Sequence, residues 1–281
     1  MNTTIDFESL PEICIRPSGR WGSVNLKDLW AYRELVLFLT WRDISIRYKQ
    51  TVLGVGWAVL QPVFTMLIFS LFFGYLGKIP SDGIPYPIFT FCALLPWQLF
   101  AYALAESANS LVANQNLITK VYFPRMIIPL SATLAGLVDF AIAFVILMVM
   151  MVFYRIPLTP AVLTIPFFVL LALITAIAAG LWLSALNVEY RDVRYTIPFL
   201  TQAWMYLTPI AYSSSLLPGV WRTLYGINPL AGVVEGFRWA LLGLAQPAWP
   251  MLGLSAAISI IMLFSGIIYF RKMESSFADK I

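Results

Sequence analysis

The chain has 281 residues, 60% of them hydrophobic and 11% charged, well under the roughly 25% charged share of a soluble domain. Water cannot be its main solvent, so its length is better counted in membrane crossings of about 20 apolar residues each. The net charge of +4 does not indicate nucleic acid, because Lys and Arg lie mainly outside the apolar runs, where membrane orientation alone would put them.

Residues 1–25 contain Pro11, Glu12, Arg16 and Pro17 and no continuous apolar core. They are expected to form a cytoplasmic segment that is not a cleavable signal peptide, so the first span would act as an uncleaved anchor. Cys14 and Cys92 sit in unlike surroundings, one polar and one apolar, and give no disulfide framework. Over residues 26–50, Trp30, Leu37, Trp41, Ile44 and Tyr48 recur at helical spacing among Lys27, Arg33, Arg42, Arg47 and Lys49. That pattern predicts an amphipathic helix at the cytoplasmic interface, although the same stripe would serve a soluble helix docked on a partner.

Residues 51–270 read as a six-span all-α membrane domain. The spans are residues 51–77, 83–105, 126–154, 156–188, 195–212 and 250–270, each long enough to cross a core about 30 Å thick. Between the last two, residues 213–249 are broken by Pro218, Gly219, Gly226, Asn228, Pro229, Gly232, Gly236 and Gly243. Broken helix at membrane depth is tolerated only under protein or beside a wet cavity, so this stretch predicts one or two short re-entrant helices. Arg222, Glu235 and Arg238 are expected near its polar surface. Residues 271–281 form a cytoplasmic tail. With both termini inside, 14 Lys and Arg fall on the cytoplasmic side and 4 on the other, a clear positive-inside signal.

The absent chemistry is informative. The chain has no histidine, which removes His-based nucleophile arrangements and His-ligated zinc; no catalytic residue, metal site or cofactor is expected. No GxxxxGK[ST] phosphate loop occurs, because Gly77-Lys78 is followed by Ile79 and lacks the upstream glycine. Asp139 in the third span and Glu106 near the end of the second could serve an ion relay, as in an ion-coupled flippase; against that stands Asp139 as a packing residue hydrogen-bonded to a neighbour. Aromatic residues number 43. Most are explained as interfacial belt and lipid-facing bulk. Trp57, Phe64, Phe72, Tyr75, Trp97 and Phe100 are candidates for a path on which sugar rings slide over flat apolar faces, by analogy with sequence-tolerant base stacking.

Two cytoplasmic loops remain, which periodicity alone would leave as solvated turns. One holds Asn116, Leu117, Ile118, Thr119, Lys120, Val121, Tyr122 and Phe123 and ends in Pro124-Arg125; the other holds Glu189, Tyr190, Arg191, Asp192 and Val193. With Asn228-Pro229 and the tail Phe277-Ala278-Asp279, these loops resemble the permease subunit of bacterial polysaccharide ABC exporters (ABC-2 type), the family that exports O-antigen, capsule and teichoic acid chains. The match runs from about Leu26 to the C-terminus. The resemblance implies a homodimeric channel in the bacterial inner membrane. It also implies two copies of a separate cytoplasmic ATPase that binds ATP and Mg, and a lipid-linked polysaccharide substrate, O-antigen first. Asn116 to Phe123 would be the coupling helix seated on the ATPase, with the 189–194 loop in support. An exporter of a drug or lipid would share this fold and coupling logic.

Overall fold

The computed structural model describes residues 26–49, 54, 56–243 and 249–277. The expected N-terminal segment, residues 1–25, and the tail residues Ala278 and Asp279 lie outside the described residues. All regular structure among the described residues is helical. α1 (Leu26–Ala31) and α2 (Arg33–Lys49) precede α3 (Gly56–Phe69), which continues as a π-helical stretch over Ser70–Leu76. Then come α4 (Tyr86–Ala113), the short α5 (Gln115–Lys120) and α6 (Ile127–Phe153). A 3₁₀ turn, Pro160–Thr164, leads into α7 (Ile165–Glu189), followed by α8 (Val193–Tyr206), α9 (Gly219–Leu224), α10 (Pro229–Leu242) and α11 (Trp249–Glu274).

Among the described residues, five helical stretches are long and apolar enough to cross a membrane: Gly56–Leu76, Tyr86–Ala113, Ile127–Phe153, Pro160–Glu189 and Trp249–Glu274. The expected fifth span is α8, which has 14 residues and reaches only about 21 Å at 1.5 Å per residue. Pro209, which has no N–H to continue a helix, lies just beyond it. α4 runs past its expected end at residue 105 to Ala113, and its polar residues there bond back onto their own helix. Asn109 Nδ2 donates to the Ala105 carbonyl at 2.8 Å and Ser110 Oγ to the Ser107 carbonyl at 2.7 Å.

α4 is the hub of the core, packed against α6, α7 and α10. Ser107 fills the space that a Cβ on Gly180 of α7 would need, so the two helices approach closely. Asn187 Nδ2 near the end of α7 donates to the Ala108 carbonyl at 3.0 Å. Thr175 meets Ser259 at 2.9 Å, and Trp182 Nε1 donates to Ser265 Oγ at 3.2 Å. These pairs make α4, α7 and α11 run in one direction. Their C-terminal ends gather with α2, α5 and the start of α6 in a second apolar cluster containing Val36, Leu39, Leu111, Ile118, Phe123, Ile127, Val188, Phe270 and Phe277. Lys120, Arg125, Arg191, Arg194, Arg271 and Lys272 lie on or beside these helix ends, which defines a basic end of the bundle.

At the opposite end the described residues of the 213–249 stretch include two short α-helices, α9 and α10, and Asn228 explains how α10 begins. Its Oδ1 accepts from the Leu230 N–H at 3.1 Å, a side-chain N-cap, with Pro229 at the first helical position. The same Oδ1 accepts from Trp204 Nε1 at 2.9 Å, and Asn228 Nδ2 donates to the Leu207 carbonyl at 2.8 Å. One residue thereby caps α10 and ties it to the end of α8. Gly243, at φ 66°, closes α10 in the left-handed conformation that glycine adopts without strain.

The expectation that Glu235 and Arg238 lie near a polar surface is corrected. Arg238 is 1% exposed and Glu235 is buried. The Arg238 guanidinium lies 3.6 Å from the centroid of the Phe89 ring. It donates to the Ile210 carbonyl at 2.8 Å, the Tyr212 carbonyl at 3.1 Å and Glu235 Oε1 at 3.2 Å. Burial is tolerated because the charge is paired and its donors are directed at carbonyls left free where α8 ends. Arg222 is only partly covered and donates to Ser214 Oγ at 3.2 Å.

Candidate coupling face and transport cavity

At the basic end the sequence motif 116–123 divides into anchors and a free face. Ile118 and Phe123 are buried in the second apolar cluster, and Leu117 packs against its edge. Asn116, Thr119, Lys120, Val121 and Tyr122 are exposed. A helix of six residues has little stability of its own, so the two anchors fix its position on the bundle. The anchors share their cluster with Val36 and Leu39 of α2 and with Phe270 and Phe277 of the C-terminal region. Arg125 strengthens this join: its backbone N–H donates to Glu274 Oε1 at 3.2 Å and its guanidinium donates to the Glu274 carbonyl. The second motif is at the same end. Tyr190, Arg191 and Asp192 are exposed and Glu189 is partly covered. The Asp192 carbonyl accepts the Tyr195 N–H at 3.1 Å as α8 begins.

The helix before the first span packs along α6 and exposes an apolar face. Thr40 Oγ1 donates to the Ser131 carbonyl at 3.3 Å. Eight residues further along both helices, Tyr48 donates to Asp139 and Arg47 pairs with Asp139 at 2.7 Å. α2 and α6 therefore run side by side in the same direction. Leu37, Phe38, Trp41 and Ile46 remain exposed, as suits contact with lipid. The lone acid of the third span thus has two partners on α2, a basic one among them. Burial and the bond to Asp139 push the Tyr48 phenol above its ordinary pKa.

This ion pair stands at the edge of an open cavity of about 330 Å³ lined by α2, α3, α4, α6 and α8. Trp57, Gln61 and Thr65 come from α3, Trp97, Gln98 and Tyr102 from α4, and Met205 from α8. A second cavity of about 330 Å³ shares Trp97 and Met205 with the first and is lined by Asn109, Ile197, Thr201 and Gln202. Of the six aromatic candidates, Trp57 and Trp97 meet in the first cavity. Phe64, Phe72 and Tyr75 stand on the exposed side of α3 and its π-helical extension. Phe100 is fully buried, its ring centroid 4.8 Å from that of Trp204 in an edge-on contact. The amide side chains Gln61, Gln98, Asn109 and Gln202 escaped the sequence reading. Their signal was present as uncharged polar residues inside otherwise apolar helices, but nothing in their spacing says that they converge.

A helical bundle of membrane-crossing length, with a basic end and a cavity of apolar and amide side chains beside one ion pair, fits the membrane domain of a transporter, and its family is shown by sequence comparison. The chain belongs to the ABC-2 type transporter family, whose model matches residues 34–242. It is 28% identical over 260 residues to the O-antigen export system permease protein RfbA of Myxococcus xanthus, covering 91% of this chain and 98% of that protein. It is 27% identical over 249 residues to the permease of the same name from Klebsiella pneumoniae, covering 88% and 94%. To the polysialic acid transport protein KpsM of Escherichia coli it is 24% identical over 254 residues, covering 85% and 93%.

Proposed function

We propose that the chain is the channel-forming permease subunit of an ATP-driven exporter that moves a lipid-linked polysaccharide, O-antigen first among the candidates, from the cytoplasmic to the periplasmic side of the inner membrane. The near full-length likeness to permeases named for O-antigen export carries the reading. The cavity supports it, because Trp57 and Trp97 offer flat apolar faces and Gln61, Gln98 and Thr65 offer donors and acceptors suited to sugar hydroxyls. On this reading two copies of the chain form the channel, and two copies of a separate ATPase supply ATP and Mg. Asn116, Thr119, Lys120, Val121 and Tyr122 present the ATPase contact, with Tyr190, Arg191 and Asp192 beside it.

Six crossings with both termini cytoplasmic are part of this reading, and helix direction supports them. α7 and α11 both end at the basic end, and on this reading α8 carries the chain back to the far end between them. Its arrival there is supported by Arg238, which binds the Ile210 and Tyr212 carbonyls beside Phe89 at the start of α4. α9 and α10 then act as re-entrant elements at the periplasmic side. An ion-coupled flippase is disfavoured because Asp139 is engaged by Arg47 and Tyr48.

Replacing Lys120-Val121-Tyr122 by Gly-Ser-Gly tests the coupling assignment by co-purification. The expected result is loss of the ATPase subunit from the purified complex with the permease still folded. Full recovery of the ATPase would remove this face as the contact.

A further inference from the structure

The two cavities differ from an ordinary ion path in carrying no net charge. Among their described lining residues the only Asp, Glu, Lys or Arg are Arg47 and Asp139, and these pair with each other at 2.7 Å. Beyond them the polar groups are amides and hydroxyls, chiefly Gln61, Gln98, Asn109, Thr201 and Gln202. The walls continue uncharged towards the far end, since residues 56–77 of the α3 stretch and 195–221 from α8 into α9 contain no Asp, Glu, Lys or Arg. We infer that the transport path selects an uncharged polysaccharide over an acidic one, with Gln61, Gln98 and Gln202 as specificity-determining residues. The inference rests on the polysaccharide-export reading and names the substrate class of that site.

The physical reason is the asymmetry between hydroxyls and carboxylates on a path across a membrane that is lined by amides and apolar groups. A sugar hydroxyl donates to an amide oxygen and accepts from an amide nitrogen, so its lost water contacts are replaced. A carboxylate or phosphate in each repeat would have to leave water and meet no unengaged cation; the guanidinium at the mouth is already matched by Asp139. In a pair of identical copies both walls have this composition, so the second copy supplies no compensating charge along the same segments.

The test is calorimetric titration of the purified full chain in lipid nanodiscs with a neutral oligosaccharide and with a uronic-acid oligosaccharide of equal length. The neutral ligand is expected to bind at least about tenfold more tightly. Gln202→Lys, a change at an exposed position of α8 that leaves the core intact, is expected to narrow that gap at least about threefold by tightening the acidic ligand. Equal or tighter binding of the acidic ligand by the unaltered chain overturns the inference while leaving polysaccharide export in place. Failure of both ligands to bind removes the glycan site itself, and the inference with it.

Discussion

α3 and α4 are consecutive apolar helices of closely matched hydropathy, yet they occupy opposite extremes of packing. Of the most apolar 18-residue window in each, 78% is buried for α4 and 17% for the α3 stretch. α4 is covered by α6, α7 and α10 and carries small residues that allow close approach, Ser107 and the self-bonded Ser110 among them. α3 touches the bundle through Pro62, Met66 and Phe69, and with its π-helical extension turns Phe64, Phe72 and Tyr75 outward. Hydropathy measures the cost of meeting water and says nothing of whether protein, lipid or a second subunit meets the helix instead. The contrast separates a scaffold helix from a wall that is open in the single chain.

The comparison breaks most sharply at Arg238, which stacks on Phe89 of α4. Arg238→Ala leaves Glu235 buried without its partner and is expected to lower stability by about 3–5 kcal/mol. The combined change Glu235→Gln and Arg238→Met should recover most of that loss in thermal unfolding of the purified protein. A single variant that unfolds like the parent would deny α4 its anchoring role.

A smaller effect is expected where α2 meets α6. The Arg47–Asp139 pair is partly solvent-exposed, with side-chain exposures of 37% and 20%, so Asp139→Asn should cost about 1 kcal/mol or less. ATP-driven export in reconstituted vesicles should continue in this variant. Complete loss of transport with folding intact would restore the ion-relay reading of Asp139.

The smallest effect on stability belongs to the open wall. Phe64→Ala and Phe72→Ala should change unfolding free energy by no more than about 0.5 kcal/mol while slowing polysaccharide export, followed by surface glycan labelling in cells. Export at the parental rate would mean that the α3 stripe faces lipid.

Much of this was legible along the chain. A run of apolar residues must find a non-aqueous setting whatever its neighbours, so composition and charge-free runs located every long helix and the basic end. The glycines and prolines of 213–249 foretold a fractured segment, and the motif from Asn116 to Phe123 marked the short helix at the basic end. Pairings between distant residues were not legible. Asp139 reads as a lone acid because its partners Arg47 and Tyr48 lie some ninety positions earlier. Arg238 reads as a surface cation because the carbonyls that receive it are left free only where α8 stops short.

The sequence by itself therefore determined the solvent, the helical class, the basic end and the family motifs, since each depends on local composition or spacing. Tertiary structure alone decided which apolar helix is core and which is wall, which charges are sheltered, and that Gln61, Gln98 and Gln202 share one region with Trp97. Those properties depend on which side of each helix its neighbours cover, and an apolar helix with little polar asymmetry carries no local mark of that side.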